Sequence, residues 1–158
     1  MNEIQKKRLA VKVASVFPDP KNTEIAIFGY AFKKNTSDTR ATPVAYIINY
    51  LLDQGFTVKV HDPQVNERGF QIEMEMQGFN IAERTNIHFV GDDFTKAVTN
   101  SSAIVIATEW DDYVTCNYRQ YREMMKQGED AHVFDFRAII DPDLIRAAGF
   151  EHVFKLGN

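Results

Sequence analysis

The chain has 158 residues, 44% of them hydrophobic and 25% charged, with a net charge of −4 at pH 7. That is long enough for one domain that buries roughly two-thirds of its unfolded surface, too acidic for a nucleic-acid partner, which requires a basic face, and without a run near the ~18 apolar residues of a membrane span. Lys6, Lys7, Arg8 and Lys12 stand where a signal peptide needs an apolar block, and the single cysteine, Cys116, excludes an intrachain disulfide, so a cytoplasmic protein is expected.

Residues 1–17 alternate charge with an apolar stripe of Leu9, Val13 and Val16, flanked by Ala10 and Phe17, which reads as an amphipathic helix ended by Pro18 and Pro20. No cap is evident before it. The helix therefore reads as the tail of a longer one, with a frayed natural terminus as the alternative. Glu24–Phe28 is an apolar run expected to form a first buried strand, followed by a loop from Gly29 to Arg40. Thr42-Pro43 has the form of an N-cap with proline at the first helical position. Val44, Ile47, Ile48, Leu51 and Leu52 then recur at helical spacing up to Gly55, a left-handed stop.

Thr57–His61 reads as a second strand ended by Asp62-Pro63, and residues 64–86 as a short helix and loop over one sheet edge, with Met74 and Met76 as packing residues. Ile87–Val90 is a short third strand, followed by a helix over Asp92–Thr99 capped by Asp92 or Asp93. Ala103–Ala107 has the continuous apolar character of a central parallel strand. A helix over Tyr118–Gln127, a strand over His132–Phe136, a helix from Asp141-Pro142 to Ala148 and a strand over Glu151–Leu156 complete the pattern. The four histidines fall in or at the end of strands without metal-ligand spacing. Cys116 has no histidine near it in sequence and reads as a partly buried small residue.

The alternation predicts an α/β fold: a doubly wound, mostly parallel, Rossmann-like sheet of about six strands, preceded by an amphipathic helix. In that architecture the strand C-termini share one rim, where such sheets bind ligands. Lys33, Arg40, Trp110 and Arg137 converge there from three loops, and the first loop adds Lys34 and the hydroxyls of Thr36, Ser37 and Thr39. This is a cationic setting for a phosphorylated ligand. The loop meets only the first of the three glycine positions of a dinucleotide fingerprint, since Ala31 and Lys34 take the other two. Asp62, the acid after the second strand, keeps a nicotinamide-dinucleotide site as an alternative, its other reading being a turn carboxylate before proline. Trp110 either stacks on a ligand or covers the core.

The loop Gly29–Arg40, the segment Thr108-Glu109-Trp110-Asp111 and the segment Phe134-Asp135-Phe136-Arg137 together resemble the C-terminal, UDP-binding domain of the UDP-glucose 6-dehydrogenase family, in order over essentially the whole chain. The resemblance implies a parent enzyme that oxidises UDP-glucose to UDP-glucuronate with NAD. Phe32, Lys33 and Arg137 would contact the substrate, and Arg40 would reach the cofactor across a domain interface. It further implies a division into residues 1–20, the end of an interdomain helix and linker, and 21–158, the UDP-sugar-binding domain. N-terminal and central domains of the parent and a homo-oligomer are the implied partners. The thiol nucleophile and catalytic lysine of the family have no counterpart here, so the chain is expected to bind without catalysing. Phe136 and Ala138 stand where the family often has glycine and a second arginine. A stand-alone nucleotide-binding or assembly module is the reading from a different class.

Overall fold

A computed structural model of the chain describes residues 2–31 and 42–157. Its centre is made by the two most continuously apolar runs. β1 (Glu24–Phe28) and β4 (Ala103–Ile106) pair in parallel, with Ile25 to Phe28 and Ala103 to Ile106 all fully buried. Runs of this kind require cover on both faces, which helices on either side provide. β2 (Thr57–His61) and β3 (Ile87–Gly91) extend the sheet from β1; β5 (His132–Asp135) and β6 (His152–Lys155) extend it from β4. Among the described residues the sheet is six-stranded and wholly parallel, in the order β3-β2-β1-β4-β5-β6. The chain winds outward from β1, returns to its other side at β4 and winds outward again. The crevice between β1 and β4 is thus the topological switch point.

α1 (Glu3–Ser15) packs on α2 (Pro43–Gln54), burying Leu9, Ala10 and Val13. Two expectations for α1 are corrected. The Asn2 side chain accepts from Gln5 N at 2.8 Å, so the helix is capped, and Val16, past its last turn, stays 42% exposed. α2 begins and ends as its sequence dictates: Thr42 accepts from Val44 N, and Gly55 has φ +105°. Val44, Ile47, Ile48, Leu51 and Leu52 are at most 2% exposed, each contributing roughly 1.5–3 kcal/mol on burial.

α3 (Glu67–Met76) and α4 (Phe94–Val98, capped by Asp93) follow β2 and β3. Met74 is core, but Met76 is 75% exposed, on the outer side of α3. The helix expected over 118–127 is shorter, α6 (Tyr118–Met124), because Met125 turns to extended backbone at ψ 170°. A four-residue helix, α5 (Asp112–Thr115), precedes it. α7 (Pro142–Ala147) leads to β6. Within β2, Lys59 is 8% exposed, and its ammonium sits 2.9 Å from Glu24 Oε1 and donates to Thr99 O. The pairing is what makes a nearly buried lysine tolerable.

Candidate functional site

The rim above the switch point begins at Gly29. Its φ is +103°, and a Cβ there would lie 2.4 Å from Thr108 Cβ and 2.8 Å from Thr108 N. Only glycine lets the exit of β1 press this closely on the exit of β4. Thr108, fully buried, then donates from Oγ1 to Ala31 O at 2.7 Å, tying the two exits together.

Asp62, at the end of β2, is 1% exposed and points inward. Its Oδ2 accepts from Tyr30 N (2.8 Å), Ala31 N (3.0 Å) and Trp110 Nε1 (3.3 Å), and its Oδ1 accepts from Gln64 N (2.8 Å) and Val65 N (3.0 Å). Both oxygens are thus committed to three chain segments. The carboxylate has no capacity left for a ribose hydroxyl, so the dinucleotide reading of Asp62 does not survive the geometry. Together with the missing glycines, this means that the described residues do not fit an NAD site. Trp110, 4% exposed with its N–H on Asp62, covers the core and offers no stacking face.

Thr42 Oγ1 donates to Tyr30 O at 3.0 Å, tying the start of α2 to the exit of β1. Phe32, Lys33 and Arg40 lie outside the described residues. The first turn of α2 is less open than its sequence implies. Thr42 caps it, Pro43 has no N–H, and Thr42, Val44 and Ala45 are buried.

On the other side of the switch point, Asp135 ends β5 with its carboxylate fully buried. It accepts from Arg137 N (3.0 Å), Ile139 N (2.8 Å) and Ile140 N (2.9 Å). The turn it holds puts Ala138 at φ +58°, a left-handed position that favours glycine. Arg137 emerges from this turn partly exposed and reaches to the exit of β4, where its Nη2 lies 3.3 Å from Glu109 Oε2. Of the sequence-derived site residues, Arg137 is therefore on the rim as expected. Asp135 and Glu109 were missed as its supports. A carboxylate at a strand's last position followed by a short turn was a usable sign of the first, but nothing local pointed to the second.

Behind the rim, His61 is fully buried, with Phe94 stacked on it at 3.9 Å. Its Nδ1 is 2.9 Å from the Tyr113 hydroxyl, which itself donates to His61 O at 3.2 Å. Burial pushes its pKa below 6.5, more than the facing carboxylates of Asp92, Asp62 and Asp112 raise it. His132 is lowered too, by burial and by stacked His152. Because the folded state disfavours both imidazolium forms, the unfolded chain binds more protons. Their stabilising share is full above about pH 7 and is lost as pH falls from about 6.5 toward their lowered folded-state values. Urea midpoints measured from pH 8 to 5 should fall, and His61→Gln should flatten part of that slope. A rising midpoint toward pH 5 would contradict the assignment. Cys116, as expected, is a partly buried structural thiol. Burial pushes it up to about 12, so it stays protonated and unreactive at neutral pH.

Residues 26–142 match the family described as "UDP-glucose/GDP-mannose dehydrogenase family, UDP binding domain". The UDP-glucose 6-dehydrogenases of Drosophila melanogaster and Caenorhabditis elegans are each 35% identical to this chain. The alignments cover all of this chain and 33% and 32% of theirs, so the chain spans about a third of the length of these relatives. In fold it is similar to the NDP-N-acetyl-D-galactosaminuronic acid dehydrogenase of Methanosarcina mazei Go1, with TM-score 0.69 and 23% identity over 94% of this chain and 28% of that one. It is also similar to a UDP-glucose dehydrogenase of Pyrobaculum islandicum, with TM-score 0.63 and 22% identity over 96% and 29%.

Proposed function

The chain belongs to the UDP-glucose/GDP-mannose dehydrogenase family as a UDP binding domain, and we propose that it holds the UDP of a nucleotide sugar on the rim between β1, β4 and β5 for a parent enzyme that oxidises UDP-glucose to UDP-glucuronate. The observation that carries this is Arg137. The buried Asp135 fixes its backbone, and its guanidinium is drawn over the exit of β4 to Glu109, next to Thr108, whose hydroxyl ties that exit to Ala31. Lys33 and Arg137 supply the charge for the diphosphate, Phe32 a contact to the substrate, and Arg40 a contact toward the cofactor. NAD is the hydride acceptor, held by the N-terminal and central domains of the parent, which works as a homo-oligomer in the cytoplasm. This chain binds and does not catalyse, because lysines and arginines grip phosphate but cannot accept a hydride.

Calorimetry with UDP on this chain tests the reading. Saturable, weak UDP binding is expected, together with none for NAD. Lys33→Ala and Arg137→Ala should each weaken UDP by about tenfold, the lower end of the value of a charge-assisted hydrogen bond. Saturable NAD binding with none for UDP would overturn the proposal. The alternative of a stand-alone nucleotide module is separated by the parent gene: a glycine-rich βαβ unit and a reactive cysteine encoded upstream support the dehydrogenase, and their absence supports the module.

A further inference from the structure

Glu109 is held as firmly as the arginine it meets. On one side of it Thr108 is buried and bonded to Ala31 O; on the other, Trp110 is buried and bonded to Asp62. The backbone of Arg137 is pinned by Asp135. The 3.3 Å contact between the two side chains, 36% and 27% exposed, therefore joins two fixed loops and is more than a chance meeting of mobile surface groups. Asp111 and Asp112 follow Trp110, so the exit of β4 is rich in acid where the reading above places an anion.

Building on that reading, we propose that Glu109 is a resident competitor for Arg137: its carboxylate occupies the guanidinium until a phosphate oxygen takes its place, and so sets the anion affinity of the site. A carboxylate and a phosphate seek the same guanidinium donors. The carboxylate also repels the incoming diphosphate across a short distance. An anion of multiple charge overcomes both, whereas a singly charged one is held off.

The test is UDP calorimetry at low salt on the chain and its Glu109 and Arg137 variants. Glu109→Gln should tighten UDP by about fivefold, close to 1 kcal/mol, while Glu109→Asp stays near the parent value. In an Arg137→Ala background the gain should shrink below about twofold, because the competition has lost its object. Thermal midpoints should stay together across the Glu109 variants, which a purely structural role would not allow. If Arg137→Ala weakens UDP but Glu109→Gln leaves it unchanged or weaker, the competitor role is wrong and the site stands. An undiminished gain without Arg137 overturns the role equally. If Arg137→Ala has no effect on UDP, the site itself is misplaced.

Discussion

Asp62→Ala should destabilise the domain by about 3–5 kcal/mol, enough to unfold much of a chain of ordinary stability. The substitution leaves the amides of Tyr30, Ala31 and Val65 and the Trp110 indole N–H without their acceptor in buried surroundings, along with the more exposed Gln64 N. An unsatisfied buried donor costs roughly 1–3 kcal/mol, and partial entry of water brings the total below a simple sum. Asp62→Asn separates shape from acceptor capacity. Its one carbonyl oxygen can serve the Tyr30, Ala31 and Trp110 donors or the Gln64 and Val65 pair, but not both, so it should cost less than alanine, about 2 kcal/mol. Chemical denaturation of the three proteins checks both values. An alanine variant within about 1 kcal/mol of the parent would mean that these donors find other partners, and that Asp62 does not organise the rim.

Gly29→Ala should cost about 3–4 kcal/mol by the same measurement. A side chain at φ +103° is itself strained by roughly 1–2 kcal/mol. The added methyl would also meet Thr108 at 2.4 Å, in a segment that is buried and hydrogen-bonded and so cannot retreat cheaply. The two residues should be coupled. In a Thr108→Gly background, where Cβ and Oγ1 are gone and only the backbone N at 2.8 Å remains, the penalty of Gly29→Ala should fall by about 1 kcal/mol or more. Additive costs would show that the strain lies in the glycine's own backbone and not in the approach of β1 to β4.

Particular elements show how far the sequence could be read. β1 and β2 were legible to the residue, since apolar runs bounded by turn residues have only one reasonable home in an α/β pattern. α2 was legible because both of its signals are local: a capping threonine before proline, and a glycine after the last apolar position. α6 is shorter than its sequence suggests because the turn at Met125 carries no breaker of its own. α5 was missed because four residues hold no period. The cap on α1 was missed although Asn2 is a good cap by type, because so short a lead gave no context for it.

By itself the sequence determined the fold class, the order of its strands, the family and the place of Arg137 on the rim at the strand C-termini, because each of these follows from local pattern or from a motif read in a line. The tertiary structure alone decided which way Asp62 faces, why Gly29 has to be glycine, and that Glu109 stands against Arg137 and Glu24 against Lys59. These contacts join residues 28 to 79 positions apart, brought together by a strand order that leaves β1 flanked by β2 and β4. At the end of a strand the alternation of faces stops, so the direction of a side chain there is set by whichever donors the neighbouring loops leave unpaired.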